Sequence, residues 1–145
     1  IAYTTGLLHG VGMVAIDEWA MHHHYELTLK GQGLPNEFLA SERTSLGCTQ
    51  AEVGAALLSQ WGFPVEMVEP LLWQYTPGGS AGYARQAALL HAAKWVRSMV
   101  CYEGTLPPLP ASYIMQMLQL TPTQLVRTAG EVKLKLLALR HLLEF

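Results

Sequence analysis

Apolar residues recur every three or four positions along this chain, and the strict alternation of a half-buried strand is nearly absent. The pattern predicts an all-α protein. A first helix is expected over 1–16, with Gly6 and Gly10 four apart on one face. Glycine inside a helix costs about 1 kcal/mol against alanine, so the pair implies that another backbone comes close. A second helix is expected over 17–30, with Asp17 and Glu18 at its positive end. Gly31-Gln32-Gly33 stops it, and Leu34-Pro35 begins a new segment. A third helix covers 36–46 and ends at Gly47.

Thr49-Gln50-Ala51-Glu52 reads as a capping box, in which Thr49 and Glu52 satisfy orphan backbone donors reciprocally. The helix it starts carries Val53, Leu57 and Trp61 on one stripe and closes at Gly62. Pro64 suits the first position of the next helix, which runs to about Tyr75 with a kink at Pro70. Gly78-Gly79-Ser80 lacks the lysine and spacing of a phosphate-binding loop, so it reads as a turn and cap. Ser80 caps a long helix through Cys101, with Ala84, Ala88, His91, Trp95 and Met99 on its stripe. A proline-rich connector spans 104–110. A short helix covers 112–120. Thr121-Pro122-Thr123-Gln124 then opens a terminal helix with Leu125, Ala129, Val132, Leu136, Leu139 and Leu143 along one face.

Composition narrows the function. The chain has 145 residues, half hydrophobic and only 14% charged, which suits one domain with a sizeable core and excludes a disordered tail. Net charge is −2, and the nine Lys and Arg are scattered, so no footprint for nucleic acid is visible. No apolar run is long enough to span a membrane. Two cysteines make no disulfide framework and fit a reducing compartment.

The segment Gly6-Leu7-Leu8-His9-Gly10-Val11-Gly12 resembles the Gly-Leu-Leu-His-Asp-Ile-Gly signature of the HD superfamily, and more specifically of the HDOD domain, the HD-related output domain of bacterial signalling proteins. Three further stretches agree in order and spacing. Glu42 followed by Leu46-Gly47-Cys48-Thr49-Gln50-Ala51-Glu52-Val53-Gly54-Ala55 is similar to a Glu…Gly-x-x-His-x-Glu-Val-Gly-Ala stretch. Leu57-Leu58-Ser59-Gln60-Trp61-Gly62-Phe63-Pro64 is similar to Leu-Leu-x-x-Trp-x-x-Pro. Leu90-His91-Ala92-Ala93-Lys94-Trp95-Val96 stands at an Ala-rich helix. The resemblance implies an HD/HDOD-like bundle of about six or seven helices. It also implies one domain over 1–145, with further helices before Ile1. The uncapped start at Ile1 agrees, and the isolated piece is expected to self-associate.

The departures from the pattern bear on chemistry. An active HD phosphohydrolase holds divalent metal through histidines and aspartates. Here the His-Asp doublet is His9-Gly10, the next histidine position is Gln50, and the later His-His pair is Gln74-Tyr75. A neutral amide replaces imidazole or carboxylate poorly at a transition metal. Asp17 lies about 12 Å along a continuous helix from His9 and cannot share an ion with it. No catalytic residue, metal or cofactor is therefore expected. His9, Gly10, Gln50, Gln74 and Tyr75 mark a vestigial site, and Thr49, Glu52, Gly54, Trp61 and Pro64 are assigned structural roles, with Trp61 wedged between two helices.

Other candidates weigh less. His22-His23-His24 cannot converge on one ion from an unbroken helix; His22 and Glu26 could, but two ligands fall short of a site. His91 reads as a satisfied, partly buried histidine, Cys48 as a residue at a helix start and Cys101 as core or near-core. Trp61, Trp73, Trp95, Met67, Met99, Met115 and Met117 read mostly as core. By resemblance, the expected function is a non-catalytic, cytoplasmic bacterial signalling module. Its expected partners are receiver, diguanylate cyclase, phosphodiesterase or kinase-type domains, or a second copy, but neither nucleic acid nor membrane. The alternative is a metal-dependent phosphohydrolase acting on a nucleotide such as cyclic di-GMP, or a module that binds a nucleotide without hydrolysis.

Overall fold

A computed structural model describes residues 1–27, 38–101 and 106–143. Among them the chain is all-helical, with no strand. Its contacts gather into two compact units, Ile1–Leu90 and His91–Phe145. The division falls inside a continuous helix, Ala84–Cys101, where no turn residue or change of composition marks it.

The first unit holds α1 (Ala2–Leu8), α2 (Val11–His22), α3 (Leu39–Leu46), α4 (Gln50–Gln60), α5 (Val65–Leu72), a 3-10 turn at Pro77–Gly79 and the start of α6 (Ala84–Cys101). The expected helix over 1–16 is broken. His9 turns back so that its ring Nδ1 lies 2.6 Å from the Gly6 carbonyl, and Gly10 opens α2. No breaker then interrupts the chain, so α2 runs through Asp17 to His22. It closes with His24 in the left-handed region at φ 50°, where Tyr25 N–H bonds the Ala20 carbonyl and His24 N–H that of Met21. This is a Schellman closure without glycine. The expected stop at Gly31-Gln32-Gly33, the restart at Leu34-Pro35 and the first residues of the 36–46 helix lie outside the described residues.

The close backbone approach occurs at other glycines than expected. Gly6 and Gly10 have open space around them. At Gly12 an added Cβ would stand 1.8 Å from the Gln50 carbonyl oxygen, and at Gly54 it would stand 3.3 Å from Gly12 N. These two small residues let α2 and α4 cross with their backbones touching. The crossing turns Ala51, Gly54, Ala55 and Leu58 inward. Leu58 and Leu71 are fully buried, and with Ala55 they form the core against Leu8, Val11, Phe63, Val68 and Leu72.

That choice of face corrects the stripe of Val53, Leu57 and Trp61. Val53 and Leu57 are half-buried, and Trp61 is 57% exposed. Trp61 caps the C-terminal end of α4 through its main chain, its N–H 2.9 Å from the Leu57 carbonyl, while Gly62 at φ 77° turns the chain. It is not a wedge. Pro64 sits one position earlier than expected, extended at ψ 151° just before α5, and Pro70 is buried within that helix.

The second unit packs the rest of α6 with α7 (Ser112–Leu118) and α8 (Pro122–Leu143). Ala92, Trp95, Val96, Met115, Leu125 and Ala129 form its core, edged by Met99, Val100, Leu118, Leu120 and Val132. The Trp95 indole donates to the Pro108 carbonyl at 2.9 Å, which satisfies the one polar atom of a buried aromatic. The capping box at Thr121 forms: Gln124 N–H donates to the Thr121 hydroxyl at 3.2 Å and Thr121 N–H to Gln124 Oε1 at 2.8 Å. Cys101 is exposed at the end of α6, contrary to its near-core expectation, and Gly104 lies outside the described residues.

Candidate functional site

The candidate site grows from the α2–α4 crossing. The capping box at Thr49 sets where α4 begins: Glu52 N–H donates to the Thr49 hydroxyl at 3.4 Å and Thr49 N–H to Glu52 Oε2 at 2.9 Å. Arg43 binds the other oxygen of Glu52 and donates to the Gly47 carbonyl at 2.8 Å, tying the end of α3 to the start of α4. The Arg43 guanidinium holds the Glu52 carboxyl below its ordinary value. With the start fixed, Gln50 becomes the first residue of α4, its carbonyl pressed against Gly12 of α2.

Gln50 is buried, and its partner is a buried carboxylate. Its backbone N–H donates to Glu42 Oε2 at 2.8 Å and its side-chain amide to Glu42 Oε1 at 3.1 Å. Glu42 is 2% exposed. Burial pushes its carboxyl above the usual carboxylate range, and the two Gln50 hydrogen bonds oppose that only in part. By residue type alone Glu42 is one member of a motif. The capped start of α4, eight residues on in sequence, was the signal that a carboxylate here can meet orphan N–H groups.

Gln74 is also buried, just beyond α5. Its side-chain amide donates to the His9 backbone carbonyl at 3.3 Å. The half-buried His9 uses Nδ1 on the Gly6 carbonyl, and because a carbonyl only accepts, Nδ1 carries the proton. Thus His9 and Gln74 come together, but through a main-chain carbonyl rather than through two ligand atoms. Gln50 reaches the same crossing through its backbone at Gly12. Tyr75 goes elsewhere: with Arg43, Thr49, Glu52 and Trp73 it lines a cavity of about 310 Å³. Gly10 offers no side chain.

These residues do not fit a divalent metal. They supply one imidazole, two amides already bonded within the protein and a phenol in a separate cavity, and transition metals prefer imidazole, thiolate or carboxylate. Among the described residues no three of His, Cys, Asp or Glu come together. The His22–His24 run follows suit. His22 lies 3.4 Å from Glu18, not on Glu26, and His23 stacks on Trp19 with its Nδ1 at the Trp19 carbonyl.

Beside the crossing lies an apolar groove of about 350 Å³, lined by Ala15, Ile16 and Trp19 of α2, Leu46 and Cys48, and Val53 and Leu57 of α4. Val53 and Leu57, two of the three residues of the expected stripe of α4, point into it. No helix among the described residues is long and apolar enough to cross a membrane.

Comparison with known families places the HDOD domain model on residues 1–77. No curated protein and no solved structure matches the chain. The match spans more than half of the sequence and covers α1 to α5, including the crossing and the Gln74 tie. The chain belongs to the HDOD domain family.

Proposed function

We propose that this HDOD-family chain is a non-catalytic signalling module that works through protein contacts. The observation that carries the reading is the use made of the ligand positions. Buried Gln50 and Gln74 spend their amides on Glu42 and on the His9 main chain, so the polar groups of the crossing hold helices together. An amide in such a role rigidifies the fold and offers no charge to a metal or a phosphate. The apolar groove beside it is a surface of the kind that takes a partner's side chains. In this reading the module is bacterial and cytoplasmic, and its partners are receiver, diguanylate cyclase, phosphodiesterase or kinase-type domains.

Metal analysis tests it. The purified chain, incubated with Mn, Fe, Zn or Mg and then desalted, should retain far less than one equivalent. It should leave cyclic di-GMP intact, and Gly10→Asp alone should not create hydrolysis. One equivalent of bound metal that is lost on His9→Ala overturns the proposal.

A further inference from the structure

The cavity that holds Tyr75 opens between α3, α4 and the end of α5, all within the first unit. Leu39, Ala51 and Leu72 give it apolar walls, and Trp73 and Tyr75 give it aromatic ones. Its volume of about 310 Å³ is at the small end of the range for ligand pockets, roughly 300–1,000 Å³, and suits one or two fused rings. Trp73 is its fixed wall. Gly79 is not in the left-handed region, so what glycine supplies there is space. An added Cβ would overlap Cε3 and Cζ3 of the Trp73 ring. That edge of the indole is seated on Gly79, and the N–H lies on the opposite edge. The two tryptophans that are not exposed use this group differently. Trp95 donates its N–H to the Pro108 carbonyl, whereas the Trp73 N–H has no acceptor among the described residues. No buried side-chain nitrogen or oxygen among them lacks a partner, so the Trp73 N–H is open to solvent on the side away from Gly79.

Two hydroxyls stand at the same cavity. Thr49 Oγ1 accepts from Glu52 N–H at 3.4 Å, and its own hydrogen has no acceptor among the described residues. Thr76 is exposed, and its hydroxyl makes no bond among them. The charges at the rim are already spent on each other. Arg43 binds Glu52 and the Gly47 carbonyl, and the second oxygen of Glu52 receives Thr49 N–H at 2.9 Å. Among the described residues no other Lys, Arg, His, Asp or Glu lines the cavity. What remains unmatched is a set of neutral donors between apolar and aromatic walls. Such a set calls for an acceptor oxygen and not for a charge.

We propose that this cavity binds an uncharged small molecule with one or two fused aromatic rings and a carbonyl oxygen. The rings pack against Leu39, Leu72 and Tyr75. The carbonyl accepts from the Trp73 N–H, with a threonine hydroxyl as its second donor. The cavity shares none of the His9, Gln50 and Gln74 side chains, so the inference goes beyond the contact reading. It stands whether or not the α2–α4 crossing is catalytic, and the metal test bears on that reading alone.

The test uses the whole chain, isotope-labelled in nitrogen, and probes that share one ring system: indole-3-acetamide, indole-3-acetate and tryptamine. The four tryptophans give four indole N–H signals by nuclear magnetic resonance, each identified by its Trp→Phe variant. Indole-3-acetamide should move the Trp73 signal downfield in a saturable way and leave the Trp95 signal in place. By equilibrium dialysis it should bind at least about tenfold tighter than tryptamine, which lacks the acceptor and carries a positive charge. It should also bind more tightly than the acetate. Trp73→Phe keeps an aromatic wall and loses the donor, so binding should fall about tenfold while the helical circular dichroism persists. Thr76→Leu, at an exposed position, removes a hydroxyl at the cavity and should weaken binding as well. A Trp73 signal that no probe moves overturns the proposal. So does equal binding of the acetamide and tryptamine, or unchanged binding in Trp73→Phe. Tighter binding of the acetate makes the cavity an anion site, and movement of the Trp19 signal alone puts the probe in the apolar groove; either result overturns it equally. If Trp73→Phe does not fold, the wild-type signal and Thr76→Leu decide.

Discussion

At the α2–α4 crossing two glycines bring backbones into contact, whereas along the second half of α8 six leucines stand open to solvent. The first region is built by removing side chains, the second by lining up large ones. Both obey a helical period. They differ in whether the chain itself supplies the opposing surface. The crossing shows that packing can be tightest where side chains are smallest, because a missing Cβ gives a neighbouring backbone room that no leucine leaves. The open helix shows the converse: strong apolar patterning measures what a face needs, not what it receives.

Gly12→Ala breaks the contrast most severely. Alanine would gain about 1 kcal/mol of helix propensity. Against that, its Cβ meets a carbonyl oxygen at 1.8 Å and the Gly54 nitrogen at 2.8 Å, both backbone atoms with no rotamer to change. The clash wins, and the loss should exceed the roughly 1–3 kcal/mol usual for overpacking. Urea unfolding should show a chain largely unfolded, while Gly6→Ala, in open space, should be neutral or stabilising. Equal tolerance of the two would remove the backbone contact from the account.

One seam supplies the next test. Leu125→Ala removes a buried side chain and should cost about 2–5 kcal/mol. Leu139→Ala, two heptads along the same stripe and 53% exposed, should stay within about 0.5 kcal/mol in the chain alone. Similar losses at both positions would mean that the far half of α8 is already covered.

The two regions were unequally legible in the sequence. The helical class, the capping boxes at Thr49 and Thr121 and the glycine stops at Gly47 and Gly62 follow from local rules. Each involves groups within a few residues, and each is present. Facing direction was less legible. Val53, Leu57 and Trp61 are the larger residues of α4, so periodicity selects them. The crossing at Gly12 and Gly54 instead rotates Ala51, Ala55 and Leu58 inward. Gly6 and Gly10 mattered through the turn at His9 rather than through a neighbour. The resemblance singled out His9, Gln50 and Gln74, yet nothing local said that Gln74 would find the His9 carbonyl, 65 residues away in sequence. The break inside α6 between the two units has no local mark either, because helix chemistry continues through it.

The smallest effect concerns the polar side of the crossing, which α8 has no counterpart for. Glu42→Gln replaces one acceptor with an NH2 group that must face either Gln50 N–H or the Gln50 amide, and a buried donor left unpaired costs about 1–3 kcal/mol. The pH dependence carries more information than the size. Because burial raises the Glu42 carboxyl in the folded protein, the folded state holds this proton more tightly than the unfolded chain does. Its contribution to stability is therefore complete below the free glutamate value of about 4.3. It is lost as pH rises through the higher folded value, since the unfolded chain ionises first. Glutamine has no such titration. Urea unfolding of both proteins at about pH 4 and about pH 7 should show a gap between them that narrows toward neutrality. A gap that widens instead would mean that the two Gln50 hydrogen bonds outweigh burial, and that the crossing is organised around a charge rather than around a carboxyl held back from ionising.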